Sequence, residues 1–230
     1  MQKKIRKRYF NKIIKIYNNT EEINITELPN KFALKTNHGS GFNIIVKNKT
    51  NFNLTYAKEK LNHWLNIDYG ALGEEFQYSF IKRKIFAEEY IGEVPINYKF
   101  LCYNGEPKYL YACIVNEYKY ANFFDMEFND LNYSCIHSPH PTYKFKKPKL
   151  FEEMKNIARK LSADFKFVRI DLYELNNEVK LGEITFSPMN SNIHCKNKSH
   201  EIELGKYIRT KNYISDYFVL FLRKIGFYSF

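Results

Sequence analysis

Residues 165–188, FKFVRIDLYELNNEVKLGEITFSP, constrain the fold of this chain more than any other stretch. Two apolar runs flank the turn signal ELNNE, so they pair as an antiparallel hairpin. Each run carries an acid where a strand favours an apolar residue: Asp171 in the first and Glu183 in the second. Antiparallel pairing can bring the two carboxylates to one face of the sheet, within reach of a shared cation. Arg169 lies two residues before Asp171 and so shares its face. Two readings of this trio stay open. The acids are hard oxygen ligands suited to magnesium on a triphosphate, with Arg169 binding a phosphoryl oxygen or offsetting their charge; or the three form a cross-strand salt-bridge cluster.

A second hairpin is expected earlier. In KFALKTN, Phe32 and Leu34 alternate with polar neighbours as in a half-buried strand, HGSG forms a loop, and NIIVK is the return strand. Lys35 and Lys47 sit at the ends of these strands and are expected near one tip. Gly39 and Gly41 would let the backbone approach an anion closely, Ser40 adds a hydroxyl, and His38 lies beside the loop. This spacing is no Walker A loop, since no GK[ST] follows and a strand comes next. It reads as a phosphate clamp or as an ordinary turn.

Around these hairpins the pattern predicts further elements. RKIFAEEYI reads as a strand ending near Glu88 and Glu89, and FLCY and YLYACIV pair around NGEP. Residues 1–19 show helical spacing at Ile5, Tyr9, Ile13, Ile16 and Tyr17. Thr55 is expected to cap a helix bearing Leu61, Trp64 and Leu65. Pro148 opens an amphipathic helix, residues 116–147 form a long irregular connection, and 208–230 read as a helix capping the core.

With 230 residues, 44% of them hydrophobic, the chain can bury a sizeable core. It has 36 Lys plus Arg against 25 Asp plus Glu, and the net charge of +11 favours polyanionic partners: nucleotides, acidic glycans or an anionic membrane surface. Cys102, Cys113, Cys135 and Cys195 form no CxxC pair and no regular framework, which argues against a disulfide-stapled secreted domain. The apolar run 217–222 is far shorter than a bilayer span, and the first ten residues hold no signal-like apolar segment, so a cytoplasmic location is expected. Cys135, His137 and His140 in CIHSPH lack a fourth partner at a familiar zinc spacing.

The ordered set LPNKFALKTNHGSGFNIIVK, AEEYI, NYKFLCYNGEP, FVRIDLY and GEITFSP closely resembles the TupA-like branch of the ATP-grasp superfamily over about Leu28 to Pro188. The resemblance implies an α+β fold in which nucleotide lies between two antiparallel sheets, the glycine hairpin closing over the triphosphate. It divides the chain at residues 1–91, with the glycine hairpin, and 92–230, with the metal-binding hairpin and terminal helix. It implies phosphate contacts from Lys35 and Lys47, and adenine binding by Glu88 or Glu89 with the backbone that follows. Asn97 falls where relatives often carry an Asp near the ribose or substrate, and Lys99 where many carry Arg.

In the wider superfamily the second acidic strand reads E-x-N, whereas here Glu183 is followed by Thr185, as is typical of this branch. Thr185, Ser187 or Asn190 would then complete the magnesium site with Asp171 and Glu183. Relatives carry a longer segment before the LPNKF motif, and 27 residues precede Leu28 here, so a shortened N-terminal part is expected. By the resemblance the chain is an ATP- and Mg2+-dependent carboxylate–amine ligase of cell-surface polymer synthesis. Arg169 and Lys99 act in catalysis, the substrates are an acidic sugar or glycan carboxylate and an amine, and no nucleic acid takes part. An ATP-binding but catalytically weak accessory protein is the alternative.

Overall fold

The computed structural model describes residues 5–72, 76–92, 96–114, 120–135, 139, 142–188 and 193–208. The first sheet has the order β1-β4-β2-β3, all antiparallel. Its strands are β1 (Ile13–Tyr17), β2 (Phe32–Thr36), β3 (Asn43–Val46) and β4 (Ile85–Glu89). One face packs on helix α1 (Leu54–Asn66) through Phe32, Leu34, Ile85 and Ala87, which meet Leu61 and Trp64 in one buried cluster. Ala57, Leu61 and Trp64 recur at helical spacing, which is why this segment closes the sheet as a helix. A short helix α2 (Tyr69–Leu72) follows.

Two expectations for this half fail. The N-terminal segment is a single 3-10 turn (Lys7–Tyr9) followed by strand β1, not a helix. Ile13, Ile14 and Ile16 are β-branched and stiff at χ1, and the open edge of β4 offers them a ladder. Ile13 and Ile16 remain 54% and 58% exposed, so the helical stripe they form in sequence is not a buried face. The cap of α1 is Asn53, whose side chain accepts from the Tyr56 amide at 3.0 Å; Thr55 lies within the helix.

The second sheet has the order β7-β6-β5-β8-β9, again antiparallel. It comprises β5 (Ile96–Tyr103), β6 (Glu106–Ile114), β7 (Asn122–Phe124), β8 (Phe167–Leu175) and β9 (Glu178–Thr185). Two hairpin turns hold the register, Asn104-Gly105 and Asn176-Asn177, each with both residues at positive φ. Helix α3 (Phe151–Ser162) covers one face, where Phe151, Met154, Ile157 and Leu161 pack with Phe100, Leu110, Val168 and Ile170. Each such side chain fully removed from water contributes about 1.5–3 kcal/mol. The helix starts three residues after Pro148; the Leu150 amide at its cap donates to the Glu174 carboxylate at 3.2 Å.

The other face carries Tyr103, Tyr109, Tyr111 and Phe123, which cluster with Leu204 of α4 (Lys198–Gly205). Within the connection expected to be irregular, Asn122–Phe124 forms β7 against β6. Cys135 and Cys195 form a disulfide that the cysteine spacing does not indicate, while Cys102 and Cys113 are free and buried. That the two partners are 60 residues apart is why no local pattern betrays the pair. His137, His140 and residues 209–230 lie outside the described residues.

Candidate functional site

A cleft of about 1140 Å3 lies between the sheets. Lys35, Phe86 and Glu88 line it from the first sheet, Tyr173 and Glu183 from the second, and Asn11 from the segment before β1. On the second sheet, strand alternation selects the residues that serve this side. The partner of Asp171 is Glu183, but that of Leu172 is Leu181, so Gly182 is an extra residue in β9. A Cβ on Gly182 would lie 3.2 Å from the Tyr173 ring and 3.4 Å from the Asp171 carbonyl oxygen. Only glycine lets the bulge lie this close beneath Tyr173 without a shift of its neighbours.

Asp171 is 1% exposed and is held by two cations. Arg169 Nε donates to its Oδ1 at 2.6 Å and Nη2 to its Oδ2 at 2.9 Å, a two-point grip. Lys99, opposite Asp171 across the β5–β8 ladder, donates to Oδ2 as well. Arg169 Nη2 also reaches Glu183 Oε2 at 3.5 Å, and Nη1 donates to the Tyr111 hydroxyl at 3.3 Å. Burial alone would lower the pKa of the Arg169 guanidinium, but Asp171, Tyr111 and Glu183 together raise it, so it carries its charge at any working pH. Burial likewise pushes the Cys113 thiol and the Tyr111 phenol upward, which keeps both neutral. Thr185, 5% exposed, donates its hydroxyl to Glu183 Oε1 at 2.9 Å.

Of the two readings of the β8–β9 acids, the ion-pair cluster is the one visible in the geometry. The trio is an ion-pair cluster, and the two carboxylates already share one cation, Arg169. The donor set suits magnesium: carboxylate oxygens with a neighbouring hydroxyl, on one face. Among the described residues no group of three or more His, Cys, Asp or Glu could hold a metal alone. Asn190 falls outside the described residues. Asn97, facing Cys113 across the β5–β6 ladder, has a buried Oδ1 with no hydrogen-bond partner.

The first sheet divides its expected site residues. Lys35 ion-pairs with Glu88 in the cleft, and Asn11 Nδ2 approaches the same carboxylate at 3.5 Å. Glu89, next along β4, turns to the other side and is exposed, so Glu88 is the member of the pair that lines the cleft. Lys47 also departs from expectation. Lys35 pairs with Asn43 beside the glycine loop, whereas Val46 pairs with Phe32, so Lys47 follows the end of the hairpin far from its tip. Counting both lysines as strand ends does not reveal which end each occupies; register decides it.

His38 is 1% exposed, with Nε2 2.9 Å from the Trp64 carbonyl oxygen and its ring edge-on to Phe42. Burial lowers its pKa, and the neutral ring shapes the base of the loop instead of extending toward an anion. Ser40 and Gly41 are exposed at the tip, where Gly41 has φ +75°. Gly39 is tight: a Cβ there would come within 2.6 Å of the Phe42 ring.

Sequence reasoning missed three groups at or behind the site. Tyr111 orients Arg169, and its place two residues from Tyr109 and Cys113 on one strand face could have revealed it. Asn11 and Tyr173 bridge the sheets, the Asn11 amide donating to the Tyr173 hydroxyl at 3.2 Å. Burial pushes that phenol up to about 12, so it stays a neutral hydrogen-bonding group. Nothing in the local sequence marks Asn11.

No curated protein matches the sequence. Solved structures with a similar trace include D-alanine–D-alanine ligase from Bacillus anthracis, 15% identical, covering 90% of this chain and 63% of that one at a TM-score of 0.46. The corresponding ligase from Helicobacter pylori is 20% identical, covering 77% and 49% at 0.41. N5-carboxyaminoimidazole synthase from Aspergillus clavatus is 13% identical, covering 80% and 42% at 0.40. The chain thus spans roughly half the length of these proteins, and at such scores the likeness carries no argument by itself. The sequence profile described as TupA-like ATPgrasp, however, matches residues 1–209, nearly the whole chain, and the chain belongs to that ATP-grasp family.

Proposed function

We propose that the protein is an ATP-dependent carboxylate–amine ligase of cell-surface polysaccharide synthesis, joining an acidic sugar or glycan carboxylate to an amine. The observation that carries this reading is the convergence of Lys99, Arg169, Asp171, Glu183 and Thr185 on the second sheet, with Lys35 and Glu88 across the cleft. A substrate carboxylate oxygen attacks the γ-phosphorus of ATP, the bond to the bridging oxygen breaks, and ADP leaves with an acyl phosphate formed. The amine then adds to the acyl carbon and phosphate departs. Lys35 binds phosphate after exchanging Glu88 for it. Arg169, fixed by Tyr111, and Lys99 face the developing negative charge with little reorganisation. The Gly39–Gly41 loop covers the phosphates and excludes water that would hydrolyse the intermediate. Asp171, Glu183 and Thr185 would hold magnesium, which when bound neutralises charge on the triphosphate.

The alternative, a nucleotide-binding protein with little turnover, draws support from Thr185 at the position where the wider superfamily has Asn, and from the engagement of both Asp171 oxygens by Arg169 and Lys99. ADP release separates the two. With Mg·ATP, the ligase reading expects release that depends on an added uronic acid and amine, and Lys35→Ala weakens nucleotide binding while the fold persists. Nucleotide binding with no release on any carboxylate acceptor favours the alternative; no nucleotide binding overturns both.

A further inference from the structure

The cleft leaves one strongly charged feature of the molecule unexplained. On the α3 side of the second sheet, opposite the face that carries Asp171, a pocket of about 700 Å3 is bordered by Lys144, Lys146, Lys147 and Lys149. Four lysines within six residues repel one another, and all four are exposed. Nearby acids do little to offset them. Glu174, the one acid lining the pocket, accepts from the Leu150 amide. Glu152 reaches Lys147 only at 3.9 Å and sits closer to Lys155, at 2.9 Å. Among the described residues no carboxylate pairs with Lys144, Lys146 or Lys149.

The positive surface continues past this pocket. Along α3, Arg6 and Lys160 border a second pocket of about 620 Å3, where Glu153 pairs with Arg8 and accepts from the Tyr9 hydroxyl. A single small anion would need one such pocket. A surface with two of them fits an extended array of negative charges. The chemistry of the donors points the same way: lysines are compact charges on long flexible stems, suited to diffuse headgroup charge more than to the two-point grip of one anion. Tyr143, 39% exposed at the pocket rim, supplies the amphipathic ring that such an interface favours. No helix among the described residues is long and apolar enough to cross a membrane, so attachment by this face would be peripheral.

We propose that the lysine segment 144–149, continued by Arg6 and Lys160, docks the protein on an anionic lipid surface. The inference does not depend on the ligase reading. The test is sedimentation with vesicles of phosphatidylcholine alone or doped with phosphatidylglycerol. The parent should bind only the doped vesicles and release them as ionic strength passes ~0.15 M, where the Debye length is ~8 Å. Each lysine lost should weaken binding about fivefold, so Lys144→Ala, Lys146→Ala, Lys147→Ala and Lys149→Ala together should reduce it by about a hundredfold or more. A charge-matched control with Lys15, Lys31, Lys58 and Lys60 changed to Ala, all on the other half of the molecule, should keep most of the binding. Equal loss in both variants would reduce the effect to net charge and overturn the docking face. Binding to soluble polyphosphate but not to doped vesicles would also overturn it, in favour of a soluble polyanion. Nucleotide binding by the lysine variant, read separately, keeps this outcome distinct from that of the catalytic cleft.

Discussion

Asp171 and Glu183 face each other across one hairpin, yet neutralising them has unequal costs. Asp171 has a side chain 1% exposed and compensates two cations, Arg169 at 9% and Lys99 at 14%. Asp171→Asn leaves both poorly compensated, and breaking a buried pair this way costs about 3–5 kcal/mol. Glu183 is 38% exposed and only 3.5 Å from Arg169, so Glu183→Gln should cost under about 1 kcal/mol. Urea midpoints without metal check this: equal losses in the two variants would show that Arg169 depends on both acids alike. Legibility at this scale follows the same physics. The trio Arg169, Asp171 and Glu183 could be read because hairpin alternation alone puts them on one face. Lys47 could not, since its position depends on register, nor could His38, whose burial depends on Trp64, 26 residues away.

Hairpins are the elements the sequence states most clearly, because turn chemistry and strand alternation are both local; β2–β3, β5–β6 and β8–β9 all form where expected. Elements defined by distant partners are not visible in this way. Strand β1 exists because β4 has an edge to fill, and β7 because β6 does. The disulfide belongs to the same class. It closes a 60-residue separation, which by loop entropy stabilises the native state by about 4 kcal/mol. Reductant should therefore lower the denaturation midpoint of the parent and leave a Cys135→Ser, Cys195→Ser double variant unmoved. Thiol titration of the denatured chain gives an independent reading: Cys102 and Cys113 react before reduction, and all four cysteines after it. Four reactive thiols before reduction, in protein kept from reductant, would mean that the bond does not form.

At the scale of the whole molecule, the first sheet and α1 bury one cluster, and the second sheet buries two others, on its α3 and α4 sides. These clusters share no residue, and the polar bridge across the cleft runs through Asn11, which touches Glu88 on one side and Tyr173 on the other. Hydrogen bonds of this partly exposed kind contribute about 0.5–1.5 kcal/mol each, little beside the cores they connect. Without ligand, then, the halves are free to melt with limited coupling, and the expected thermal transition is broad or has two steps. In the proposed binding mode, a nucleotide held by Lys35 on one side and by the Arg169–Asp171 group on the other adds a link that exists only when both halves are folded. At a hundredfold excess over Kd it stabilises the native state by about 2.7 kcal/mol. Calorimetry should therefore show the transition moving up and narrowing toward a single step with Mg·ATP, and Lys35→Ala should raise the concentration needed for that change. An upward shift in which only one of two steps moves would place the ligand on one half alone and remove the cleft between the sheets as its site.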